Sequence, residues 1–232
     1  MPRLTFVRHW LAEPGIPATA TVTAPTHYPL VITISREYGS GGHQIGEALA
    51  KALGITFYDK ELITLVAKES GFSEEFISQN EQKMPSALLY QMIMQDYEAP
   101  LDKSLSYDDA LFVAQSRVIR RLATEKPCVI VGRCADYILR DRPHTINIFL
   151  FGDMKSKTER VIAEYGISPA QAPGKITQVD KSRKEHYFHY TGRQWGDSRN
   201  YHATFNTSMI SITQITEILK NIYEGEAKRK VH

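Results

Sequence analysis

Cysteine is scarce in these 232 residues: Cys128 and Cys134 are the only two. Their spacing makes neither a zinc knuckle nor a redox pair, and a disulfide scaffold needs more than one bridge. Both thiols are therefore expected as small buried hydrophobes in a reducing compartment. Charge of one sign is also scant. A formal balance of +2 gives no global electrostatic case for nucleic acid or for a membrane surface. No run of about 18 apolar residues occurs, which argues against a membrane-spanning helix. The N-terminus lacks the compact apolar core of a signal peptide, so the expected compartment is the cytoplasm. There is no internal repeat and no low-complexity tract. What is present, 42% hydrophobic and 23% charged residues, suits one globular α/β domain with a real core.

The most informative stretch starts at Val31-Ile32-Thr33-Ile34, a β-branched run that reads as a buried strand. Ile45, Ala48, Leu49, Ala52 and Leu53 then repeat at helical spacing. Gly39, Gly41 and Gly42 lie between them. Glycines there let the chain turn sharply and point backbone N–H groups inward at a helix N-terminus, where partial positive charge favours an anion. Strand, glycine loop and helix together make a phosphate cradle formed by Gly39, Ser40, Gly41, Gly42, His43 and Gln44 the functional reading. An ordinary glycine-rich turn is the structural one.

Residues 1–29 stand apart. Pro14, Pro17, Pro25 and Pro29 interrupt them with no sustained period, which indicates a partly extended, disorder-compatible extension with an edge strand over 18–23 as an option. Further along, the pattern predicts a short strand at 55–58 and helices over 60–69 and from Ser73. A weaker helical pattern runs over 84–105, and a long helix covers 108–125. Cys128–Val131 and 146–150 are wholly apolar strands of the kind buried on both faces of a parallel sheet. Helices are expected over 153–165 and 174–190, a last strand over 203–206, and a terminal helix marked by Ile212, Ile215, Leu219 and Ile222. Strands alternating with helices point to a doubly wound parallel sheet of about five strands, with ligands beyond the strands' carboxyl ends.

Three further blocks fall near those ends. Arg133 follows the Cys128–Val131 strand, where a guanidinium can grip a phosphate or simply close a salt bridge. Asp59 follows the second strand and could cap the next helix. In Asp180-Lys181-Ser182-Arg183-Lys184-Glu185-His186-Tyr187, the basic residues read either as a wet helix face or as a phosphate-neutralising set. His186 and His189 have zinc-like spacing without a third ligand of the right kind nearby. Packing explains the aromatic stretch Tyr187–Tyr201 better than a nucleic-acid platform does.

The segment Ser35-Arg36-Glu37-Tyr38-Gly39-Ser40-Gly41-Gly42 followed by Ile45-Gly46, with Gly132-Arg133 after a second strand and Ile148-Phe149-Leu150 in the third, resembles the cytidylate kinase-like family of P-loop nucleoside monophosphate kinases. The resemblance covers about residues 30–225, with 1–29 outside it, and implies a lid at about 166–200 within a kinase-like domain of 30–232. It implies an ATP-dependent phosphotransferase using Mg²⁺ held through nucleotide phosphates, with CMP or dCMP as the first acceptor. Arg36 would stand in for the Walker A lysine, whose place falls on Gly42. Asp59, Arg133 and Asp136 would hold the acceptor. Lys181, Arg183 and Lys184, with Arg160 a weaker partner, would close over the transferring group. Cys134, where the family has Asp, leaves open a same-fold kinase of another small molecule. Gly42 and His43 leave open a nucleotide-binding module without catalysis. The expected partner is a small-molecule nucleotide rather than nucleic acid or membrane. Oligomeric state is open, a homodimer included.

Overall fold

The computed structural model describes residues 28–70, 73, 75, 77 and 107–229. Most of the 1–29 extension and the weaker 84–105 pattern lie outside the described residues, whereas the helix expected from Ser73 is seen at its start, where Glu75 and Ile77 are helical and the Ile77 N–H donates to the Ser73 carbonyl (3.1 Å). Strands β1 (Val31–Arg36), β2 (Thr56–Tyr58), β3 (Cys128–Val131), β4 (Thr145–Phe151) and β5 (Ala203–Asn206) form one sheet in the order β2-β3-β1-β4-β5. Every neighbouring pair is parallel, with Ile34 opposite Val131 on one side and Ile148 on the other. From β1 the chain leaves for one edge, returns through β3, and crosses to β4. The strand order therefore reverses around β1, which puts a switch-point crevice at its carboxyl end.

Alternate residues of each strand face opposite ways, and both faces are covered. On one face, Ile32, Ile34, Val129, Val131, Ile148 and Leu150 pack against α1 (Gly42–Leu53) and the terminal α7 (Ile212–Arg229) through Ile45, Leu49, Ile215 and Leu219. On the other, Val31, Ile130 and Phe149 share a core with α2 (Glu61–Ser70), α3 (Tyr107–Glu125) and the far half of α6 (Ala172–Thr191). A third, small cluster of Val161, Ala172 and Ile176 joins α5 (Met154–Tyr165) to the near half of α6. A short α4 (Ala135–Ile138) follows β3. At the start of β1, Arg142 donates to the carbonyls of Pro29 and Ala123 (both 2.6 Å), anchoring the chain where it enters the sheet. Among the described residues no helix is long and apolar enough to cross a membrane. Cys128 and Cys134 are buried free thiols, their pKa pushed up by burial, Cys128 to about 12.

Candidate functional site

The chain leaves β1 through Glu37 and Tyr38 into two left-handed glycines, Gly39 (φ 79°) and Gly41 (φ 78°), before α1 begins at Gly42. A β-carbon is strained at either position. Gly41 is the N-cap and has no side chain to cap with, and among the described residues no other side chain caps the first turn of α1. Ser40 folds back, donating from both its backbone N (3.2 Å) and its hydroxyl (2.8 Å) to the Glu37 carbonyl.

The loop is held from outside by residues far along the chain. Lys157 of α5, buried, donates to Glu37 Oε2 (2.9 Å) and Asp180 Oδ2 (3.0 Å). Asp180 also accepts the Tyr38 N–H (2.7 Å), and Glu37 accepts the Gly152 N–H (3.3 Å). Arg160 donates to the Gly39 carbonyl. One ammonium therefore bridges the loop carboxylate and the α6 carboxylate. Burial works to lower the Lys157 pKa, but the hydrogen bonds to Glu37 and Asp180 outweigh it and the net shift is upward. Lys157, Glu37 and the role of Asp180 escaped the sequence reading. The available signal was Lys157 at i−4 from the buried Val161, a lysine on the inner stripe of a helix.

Across the crevice lies a cavity of about 490 Å³ whose lining includes Arg36, Asp59, Arg133 and Arg183. Arg36 runs over α1: a β-carbon at Gly42 would sit 2.6 Å from Arg36 Cγ, and one at Gly132 would fall on its guanidinium. Both positions are glycine because the arginine needs their space. Asp59 is the focus of the cationic wall. Its carboxylate accepts from His43 Nδ1 (2.7 Å) and lies 3.8 Å from Arg36 Nη2 and 3.7 Å from Arg133 Nη1. Its backbone carbonyl accepts the Leu62 N–H (3.4 Å), but among the described residues its side chain accepts no backbone N–H, so the carboxylate faces the cationic wall instead of capping α2. Arg183 donates to the Arg36 carbonyl (3.0 Å); burial depresses its pKa against the pull of Asp180, yet a guanidinium stays charged.

Past β3 the backbone takes three left-handed residues in succession, Gly132 (φ 81°), Arg133 (φ 52°) and Cys134 (φ 53°). Non-glycine residues there cost on the order of 1–3 kcal/mol each, a strain that clusters at ligand sites. It turns Arg133 into the cavity. Asp136 sits behind the wall, deeply buried, accepting from Ser35 Oγ (3.2 Å) and the Tyr187 hydroxyl (2.7 Å); burial raises its pKa against those hydrogen bonds.

The structure thus brings Arg36, His43, Asp59, Arg133 and Arg183 together, with Asp136 one layer back. Lys181 and Lys184 are exposed and do not line the cavity; Lys181 pairs with Glu185 at 3.9 Å. The basic run on α6 is therefore split. Asp180, Arg183 and Tyr187, at i, i+3 and i+7, face inward, while the two lysines form the wet face. Gln115 and His186 also line the cavity and were not singled out as binding residues from sequence. Among the described residues no group of three or more His, Cys, Asp or Glu could hold a metal ion.

Residues 31–209 match the cytidylate kinase-like family. Over 193 residues the chain is 28% identical to a cytidylate kinase from Pyrococcus horikoshii, covering 82% of this chain and 86% of that protein. Among solved structures, an uncharacterized protein from Eubacterium ventriosum is similar with a TM-score of 0.63 at 29% identity, over 84% of this chain and 98% of that one. A shikimate kinase from Acinetobacter baumannii, solved with shikimate, gives a TM-score of 0.49 at 15% identity, over 85% of this chain and 94% of that one.

Proposed function

The chain belongs to the cytidylate kinase-like family, and on that premise we propose that it is an ATP-dependent phosphotransferase acting on a nucleoside monophosphate, CMP or dCMP favoured. The observation that carries the reading is the meeting of an α1 N-terminus, uncapped by any side chain among the described residues, with a cavity walled by Arg36, Arg133 and Arg183, on either side of one crevice. The N–H groups of Gly42, His43 and Gln44 open the helix and suit the donor's phosphates. The paired arginines suit the phosphate of the acceptor.

In the transfer, an oxygen of the acceptor phosphate forms a bond to the γ-phosphorus of ATP. The bond from that phosphorus to the β-bridging oxygen breaks, and ADP leaves with the electron pair. The transferring group carries its negative charge through a loose transition state, so positioning and cations do most of the work. Arg36 crosses the space that a side chain at position 42 would take, and it supplies the charge otherwise given by a Walker A lysine. Arg183 approaches from α6, the lid helix, and Arg133 holds the acceptor. Lys157 cannot supply that charge, because its ammonium is committed to Glu37 and Asp180. Lys181 and Lys184, exposed on α6, could contribute only through a movement of the lid.

Magnesium fits as a phosphate-borne ion. Among the described residues Asp59 is the one carboxylate in the cavity lining, which matches an ion that keeps its waters and takes few protein ligands. When bound, it neutralises charge on the phosphates of ATP.

A coupled ADP-release assay across nucleoside monophosphates tests the reading. Turnover with CMP or dCMP, lowered about 100-fold or more by Arg36→Ala, supports it. Turnover only with some other small molecule, or tight ATP binding with no turnover on any acceptor, overturns it.

A further inference from the structure

Deep in the same cavity is a part that the phosphate chemistry does not use. Gln115 of α3 is 4% exposed and lines the cavity, and among the described residues no hydrogen bond reaches its amide. Its amide is not one of the sealed, orphaned polar groups of the interior; it opens on the cavity, where a ligand can reach it. His186 lies one turn beyond Arg183 on α6 and lines the cavity too. Its ring packs edge-on against Phe112 (6.4 Å) and Tyr190 (4.8 Å), Phe112 being one turn before Gln115 on α3. Burial and the neighbouring His189 hold its imidazole neutral, so one ring nitrogen donates and the other accepts. No hydrogen bond within the described residues uses either nitrogen. Two uncharged side chains, each offering a donor and an acceptor, thus stand unused beside three guanidiniums.

We infer that Gln115 and His186 are the specificity-determining residues of the acceptor site, reading a nucleobase edge with adjacent donor and acceptor atoms while the arginines hold the phosphate. The inference rests on the phosphotransferase reading above. A sugar phosphate without a base would satisfy the arginines and leave both side chains unpaired. The amide of Gln115 can turn end for end, so it matches the acceptor–donor edge of cytosine and the donor–acceptor edge of uracil equally well. Discrimination between the two pyrimidines therefore falls to other groups.

Titration calorimetry on the full chain, with CMP and with ribose 5-phosphate, tests this. The wild type should bind CMP at least tenfold more tightly than ribose 5-phosphate. Gln115→Met should weaken CMP about tenfold and leave ribose 5-phosphate within twofold. Its unliganded Tm should change little, because the amide makes no hydrogen bond within the described residues and the replacement is of similar size. His186→Phe should also weaken CMP, whereas His186→Gln, which keeps a donor and an acceptor, should retain most of the affinity. Variants that leave CMP binding unchanged, or that weaken both ligands alike, overturn the inference while leaving the phosphotransferase reading intact. A wild type that binds no nucleoside monophosphate removes both.

Discussion

Replacing Lys157 by methionine removes one charge and almost no volume, which isolates its electrostatic role. Methionine is flexible enough to fill the channel along α5 that the lysine stem occupies. What is lost is the ammonium lying 2.9 Å from Glu37 and 3.0 Å from Asp180, itself in a side chain only 7% exposed. Two carboxylates then face each other with nothing between them. Breaking a buried pair in this way costs about 3–5 kcal/mol, because the partner charges stay desolvated. For a chain of this size that corresponds to a fall in Tm of roughly 6–20 °C. Urea unfolding followed by circular dichroism should show the loss as a shift in midpoint at constant slope. A neutral triple variant, Lys157→Met with Glu37→Gln and Asp180→Asn, should recover most of it, since no buried charge then remains. The pH dependence has a definite sign. The folded-state pKa of Lys157 is raised, so its contribution is fully present below the ordinary lysine value of 10.5 and is lost as pH rises through the higher folded value. The gap between wild type and variant should hold from pH 7 to about 10 and narrow above that. A single variant costing under about 1 kcal/mol, or a neutral triple no more stable than the single, would refute the view that this cation holds the loop.

Two further outcomes follow from the same geometry. Gly42→Ala, at the first position of α1, should weaken ATP binding and turnover, because the new methyl displaces Arg36. Combined with Arg36→Ala it should do no further harm, and additive losses in a double-mutant cycle would sink the shared-space explanation. His186 carries the second. Its pKa is lowered to about 4, so the unfolded chain binds a proton that the folded protein refuses as pH falls from 6.5 toward 4. Stability should drop by about 3 kcal/mol over that window on this account, and denaturation midpoints for His186→Gln should show a correspondingly flatter acid limb.

The architecture was legible because the strands are locally marked. The residues Val31–Ile34, Cys128–Val131 and Ile146–Leu150 are apolar runs of strand length, and each sits where the pattern put it. The turn after β1 was legible for a similar reason: three glycines between a strand and a helix mark a sharp turn, and Gly39 and Gly41 take left-handed backbone there. Residues whose meaning lies in distant packing were harder to read. Lys157 reaches Glu37 across 120 positions of sequence and Asp180 across 23, and within Met154-Lys155-Ser156-Lys157 it looks like any surface lysine. Gln115 interrupts the apolar stripe of Leu111, Val118 and Leu122, a signal that was present but competes with ordinary polar residues at helix margins. On α6 the inward spacing of Asp180, Arg183 and Tyr187 separates them from Lys181 and Lys184, though the weak apolar pattern of that helix hid the distinction.

Asp180, Arg183, His186 and Tyr187 all belong to α6, so one helical rod touches the glycine loop at its Tyr38 amide and the arginine-lined cavity at its wall. Whatever shifts the rod at one point must shift it at the other. On the proposed function the two halves of the crevice are expected to be thermodynamically linked: a first ligand that favours one position of the rod changes the affinity for the second, and the second changes the first by the same factor.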